Sequence, residues 1–224
     1  MSNRKLLIEA LGKFLLGLIL VSLLLFLPAG TLCFFNGWLL ILLLFVPMLI
    51  AGFVMLAKNP DLLRKRLDAK EKEAEQKQVV AFSGLMFLGG FVLAGLTHRF
   101  GWMPLPKWVV IVASVVFLCS YALYAEVLRE NTNLSRTIEV QEGQKVIDTG
   151  LYGIVRHPMY FATVLLFLSI PLILGSLWAF LLFLIYPFLL IKRIKNEEEV
   201  LASELAGYSD YQSRVRYRLI PFIW

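Results

Sequence analysis

Uninterrupted apolar runs of membrane-crossing length dominate the chain between residues 6 and 191. A helix needs about 20 predominantly apolar residues to cross ~30 Å of hydrocarbon, and the stretches 6–27, 34–57, 79–97 and 108–128 each come close to or exceed that length. A backbone inside lipid must satisfy its own polar groups, so only helices and closed barrels can span. Continuous runs of this length, without strand-like alternation, read as helices. The last apolar stretch, 158–191, would be ~50 Å long as a single helix, too long for one crossing. Pro171 and Gly175 near its middle therefore mark the turn of a helix–turn–helix hairpin, and Pro187 a kink in its second arm. The expected fold is an all-α, polytopic membrane bundle of about five to six transmembrane segments ending in that hairpin.

Composition agrees with lipid as the solvent. The chain is 59% hydrophobic and 17% charged, whereas soluble domains carry about 25% charged residues. Its net charge of +6 does not point to nucleic acid, because the Lys and Arg residues sit between apolar blocks rather than along one face. They read as topology determinants. Cys33 and Cys119 form no C-x-x-C and have no neighbouring His, so they are expected to be buried thiols acting as small hydrophobes. His98 reads as an interfacial residue. Arg4 and Lys5 ahead of the first run could introduce a signal peptide, but no small-x-small cleavage site follows, which favours a retained helix.

The charge distribution sets an orientation. Arg4 and Lys5, the Lys/Arg-rich connector 58–78, the polar region 129–157 and the tail 192–224 all fall on one side of a six-segment layout. Arg99 and Lys107 fall on the other. By the positive-inside rule both termini are cytoplasmic. The connector, with mixed charges at helical spacing, reads as a surface helix in the aqueous or headgroup layer. The chain divides into an N-terminal transmembrane part, 1–128, and a region 129–224 that holds the chemistry.

Within that region, DTGLYGIVRHPMY packs Gly150, Tyr152, Gly153, Arg156, His157 and Tyr160 at the mouth of a span. Pro158 suits the first turn of a helix, where its missing N–H costs nothing. The free N–H groups and positive dipole end of such a helix suit a carboxylate or phosphate. An interfacial anchor of snorkelling and aromatic side chains explains the stretch equally well when it is taken alone. A second cluster, KRIKNEEEVL, puts Arg193 and Glu197 four residues apart on one helix face. Because a hairpin returns both ends of 158–191 to one side, the two clusters should face each other.

Taken together, these motifs resemble the signature of the isoprenylcysteine carboxyl methyltransferases. G-x-Y-x-x-x-R-H-P-x-Y (Gly150, Tyr152, Arg156, His157, Pro158, Tyr160) is followed by R-x-x-x-E-E-x-x-L (Arg193, Glu197, Glu198, Leu201). Y-x-x-Y-x-x-R-V (Tyr208, Tyr211, Arg214, Val215) and a terminal L-I-P-F come next in the family's order. The resemblance covers about 130–224. It implies a cytoplasmic pocket for S-adenosylmethionine, lined by Gln144, Lys145, Val146 and Ile147, by Tyr152, and by His157, Pro158, Met159 and Tyr160. It further implies that Glu197 contacts the cofactor and that Arg193 faces the methyl acceptor, making Arg193 and Glu197 the candidate catalytic pair.

The implied acceptor is a lipid-anchored, prenylcysteine-like carboxylate that enters from the membrane. Such a carboxylate, which ordinarily titrates near pH ~3.5, is ionised at neutral pH and needs no general base. A lipid-amine N-methyltransferase and a nicotinamide-dependent membrane reductase, both of which share part of the RHPxY pattern, stand as rivals. No G-x-G-x-x-G is present, so a Rossmann-type cofactor domain is not supported. Neither a metal nor nucleic acid is expected.

Overall fold

A computed structural model describes residues 3–67, 74–131, 140 and 143–224. Among these, secondary structure is helical: α1 (Asn3–Ala29), α2 (Phe35–Lys58), α3 (Pro60–Leu67), α4 (Ala74–Phe100), α5 (Lys107–Glu130), α6 (Pro158–Ile173), α7 (Leu177–Phe183), α8 (Tyr186–Glu204) and α9 (Tyr208–Arg214). A single 3-10 turn, Gly150–Gly153, precedes α6. Among the described residues, five segments are long and apolar enough to cross a membrane: α1, α2, most of α4, α5, and α7 with α8 taken together. Helix α6, at 16 residues, is only ~24 Å long. It is apolar throughout and packs along α5.

Large apolar side chains remain exposed along α1, α2, α4 and α5, Leu16, Leu42, Leu85 and Ile111 among them. Such faces are stable only in lipid. Lipid gives no hydrophobic drive for helices to associate, so close packing at small residues must supply it. Gly95 of α4 meets α1, where a Cβ would stand 2.6 Å from the Leu25 carbonyl oxygen. Gly90 admits the Phe183 ring of α7 in the same way. One buried cluster runs from Leu25 and Phe34 through Phe117, Ile170 and Ile194 to Leu219, so residues from both parts of the chain share a core.

The hairpin turns where the sequence places it. Gly175 has φ +73°, and Ser176 caps α7 by accepting the Ala179 N–H at 3.2 Å. Its hydroxyl also pairs with Thr97 at 2.8 Å. Leu105 N–H donates to the Gly175 carbonyl at 2.9 Å, which pins the tip to the α4–α5 loop. The second arm breaks at 184–185, and Pro187 lies in the first turn of α8, so the interruption falls one step ahead of the proline.

At the opposite end, Lys13 donates to the Leu67 carbonyl at 2.8 Å and the Arg66 guanidinium lies 5.4 Å over the Tyr124 ring. The connector thus forms a helix over Pro60–Leu67, with Leu62 and Leu63 buried. The expected surface helix also covered 68–73, which lies outside the described residues.

One sequence expectation changes. Cys33 and Cys119 are exposed free thiols rather than buried ones. Cys119 lies on α5, where a uniformly apolar run leaves the inward face unmarked, and Cys33 lies in the loop between α1 and α2 rather than in a packed helix. His98, in the last turn of α4, stacks on the Phe34 ring at 4.4 Å.

Candidate active site

Pro158 opens α6 with His157 as the capping residue, which places the RHP segment at the end of the bundle where α5 finishes. Immediately upstream, the 3-10 turn is braced by the end of α5. The Glu130 carboxylate accepts the Leu151 N–H at 3.1 Å, and Asn131 Nδ2 donates to the Tyr152 hydroxyl at 3.1 Å. Gly150 has φ +52°, and a Cβ there would overlap the Glu130 carboxylate. Only glycine meets both demands.

The arms of the hairpin converge on Tyr160. Arg193 Nε donates to its hydroxyl at 2.9 Å, and that hydroxyl donates to Glu197 Oε2 at 2.5 Å. The Arg193 guanidinium also lies 6.0 Å from the centre of the Tyr160 ring. One phenol therefore links the candidate catalytic pair, and Arg193 and Glu197 are held from α6 across to α8.

The next residue does different work. Glu198 is 4% exposed and accepts from Arg156 Nε at 2.7 Å on one oxygen and from Arg218 Nε at 2.7 Å on the other. His157 Nε2 lies 3.2 Å from the first oxygen. Arg156 also donates to the carbonyls of Val215 (2.6 Å) and Arg216 (3.0 Å). Its backbone N–H reaches Tyr217, and that of His157 reaches Arg218. The network clamps residues 215–218 of the tail against the start of α6. Glu199, by contrast, is exposed.

A satellite cluster of Leu205, Tyr208, Tyr211 and Val215 lies beyond, with Val146 packed against it. The Tyr211 hydroxyl donates to the Tyr152 carbonyl at 2.7 Å. Asp148 pairs with Arg214 at 2.8 Å, and Val146 packs on the cluster that holds Tyr208 and Tyr211, so the segment 144–148 runs beside α9. Burial pushes the phenols of Tyr152, Tyr208 and Tyr211 well above their usual range, and each is a neutral donor at physiological pH.

The structure brings Tyr160, Arg193 and Glu197 into direct contact and puts Tyr152 within electrostatic reach of Glu197. His157 joins the Glu198 network instead. Pro158 is buried as the first residue of α6, and half-buried Met159 packs on the main core. Of the 144–147 segment, Lys145 is exposed, Gln144 and Ile147 are half-buried, and Val146 faces the satellite cluster. Among the described residues no His, Cys, Asp and Glu cluster could hold a metal.

Residues 108–203 match the isoprenylcysteine carboxyl methyltransferase (ICMT) family. The match runs from α5 through the 3-10 turn and the hairpin to the end of α8, and so contains both motif clusters. Helix α9 and Arg218 lie beyond it. A mouse (Mus musculus) protein described as Delta(14)-sterol reductase TM7SF2 is 31% identical over 91 residues, which are 39% of this chain and 22% of that protein. The chain thus spans about a fifth of that relative's length.

Three residues central to the site have contacts that no sequence pattern assigns to them. Glu198 stands second in the E-E pair, where nothing distinguishes it from Glu197. Glu130 lies 21 positions before its partner Leu151. Arg218 sits in a basic tail that reads as a topology signal.

Proposed function

We propose that the chain is a membrane-embedded methyltransferase that uses S-adenosylmethionine and methylates the carboxylate of a lipid-anchored, prenylcysteine-like acceptor. The observation that carries this reading is the Arg193–Tyr160–Glu197 linkage, which joins the two motif clusters of the ICMT match at one end of the bundle. That end also carries the Lys/Arg-rich connector, and we assign it to the cytoplasm with both termini.

The residues present suit the cofactor. A sulfonium with an α-ammonium group and ribose hydroxyls calls for an anionic acceptor beside neutral donors, and half-buried Glu197 accepts from the Tyr160 phenol, with the phenols of Tyr152 and Tyr208 within its electrostatic reach. When bound, S-adenosylmethionine supplies an electrophilic methyl group. Glu197 would hold that cofactor, and Arg193 would hold the acceptor carboxylate that receives the methyl group as an ester.

Positioning accounts for much of such an in-line displacement, and it is what this chain's side chains offer. Arg193 orients the acceptor carboxylate, whose charge matches a guanidinium in both sign and shape. Tyr160 fixes the spacing of Arg193 from Glu197, and Glu197 holds the cofactor's hydrogen-bond donors. Gln144, Lys145, Val146, Ile147, Tyr152, His157, Pro158 and Met159 complete the pocket in this reading.

The sterol-reductase match favours one second reading, a nicotinamide-dependent reductase on the same scaffold. Calorimetric titration of detergent-purified protein with S-adenosylhomocysteine and with NADPH separates the two. Binding of S-adenosylhomocysteine that is lost in Glu197→Ala is the expected result. Binding of NADPH alone would overturn the methyltransferase reading.

A further inference from the structure

The tyrosines that surround the candidate site are not equivalent. Tyr160 donates to Glu197, Tyr152 accepts from Asn131, and Tyr211 donates to the Tyr152 carbonyl. Tyr208 is 4% exposed, yet its hydroxyl is buried and has no hydrogen-bond partner among the described residues. Leaving a buried hydroxyl unpaired costs about 1–3 kcal/mol, so such a group in a folded protein calls for an explanation.

Satellite-cluster packing accounts for the ring of Tyr208 but not for its oxygen. A phenylalanine would fill the same volume with nothing left unsatisfied. The phenol also lies within electrostatic reach of Glu198, Glu197 and Arg156, the groups that carry both halves of the site. Burial keeps it protonated there. It is thus a neutral donor, already desolvated, in a cluster against which Leu201 packs, one turn of α8 beyond Glu197.

We infer that Tyr208 is a further ligand-binding residue, whose hydroxyl completes its hydrogen bonding only when an S-adenosyl ligand occupies the pocket beside Glu197. The inference rests on the methyltransferase reading above and extends it to α9, beyond the matched stretch 108–203. A hydroxyl held unsatisfied in the ligand-free protein acts by differential binding. Its cost is carried in the free state and recovered in the complex, so removing it should change the two states in opposite directions.

Tyr208→Phe tests this through two measurements on the full-length, detergent-purified protein. The ligand-free variant is expected to keep or raise its Tm, because an unpaired buried oxygen is gone. Its affinity for S-adenosylhomocysteine, by calorimetry, is expected to fall by about tenfold, the equivalent of one ordinary hydrogen bond. Wild-type affinity in Tyr208→Phe, or a lowered Tm in the ligand-free variant, overturns the inference; the second result would mean that the hydroxyl has a structural partner. A wild-type protein that binds no S-adenosylhomocysteine overturns the functional reading itself and this inference with it.

Discussion

Glu198→Ala removes the hub that ties the tail to the start of α6. The variant leaves Arg156, 8% exposed, without the carboxylate that accepts its Nε at 2.7 Å. Removing one partner of a buried ion pair costs about 3–5 kcal/mol, because the remaining charge stays desolvated. Two features set the expectation at the lower end. Arg156 keeps its bonds to the Val215 and Arg216 carbonyls. The Arg218 side chain is 34% exposed, so water screens its share of the loss.

About 3 kcal/mol corresponds to a Tm lowered by roughly 6–12 °C for a chain of this size. Thermal unfolding in detergent, with limited proteolysis to follow release of the tail after α8, measures both effects. Glu199→Ala, at an exposed neighbouring position, is expected to change stability by no more than about 0.5 kcal/mol. A Glu198→Ala protein as stable as wild type, or a Glu199→Ala protein that loses as much, would refute the assignment of Glu198 as the clamp.

Tyr160→Phe removes the hydroxyl between Arg193 and Glu197. Affinity for S-adenosylhomocysteine should fall by about tenfold, with the helical circular-dichroism signal unchanged. Gly150→Ala forces a Cβ into a left-handed position against Glu130; it should cost at least about 1–2 kcal/mol, read as a lower Tm. The buried phenols of Tyr152, Tyr208 and Tyr211 titrate above their unfolded value of 10.0. The stability they contribute is therefore present below about pH 10 and is lost as pH rises beyond it. Tyrosinate absorbance from these groups should develop only as the protein unfolds in alkali, and a titration completed in the folded state near pH 10 would contradict their burial.

Much of the architecture follows from runs of residues, because lipid imposes a one-dimensional requirement. A segment must be apolar for about 20 residues and must pair its backbone within itself. That is why α1, α2, α4 and α5 are visible in composition alone, and why Pro171 and Gly175 locate the hairpin tip. The meeting of the RHPxY and R-x-x-x-E-E clusters at one end follows as well, since a hairpin must return.

Which side chains touch is a separate matter, decided by rotation about helix axes and by the path of the tail. Glu197, Glu198 and Glu199 are consecutive and chemically identical, yet about 100° separates each from the next around α8. One reaches Tyr160, one is buried among Arg156, His157 and Arg218, and one faces outward. No local pattern chooses among them, because their partners stand between 20 and 42 positions away in the chain. The same reason hides the exposure of Cys33 and Cys119 and the unpaired hydroxyl of Tyr208. The spans, the turn and the chemistry available at one end of the bundle are thus written into the order of residues along the chain. Packing between distant segments chose which glutamate reaches Tyr160 and which one holds the tail in place, because burial and pairing depend on neighbours brought together from far along the chain.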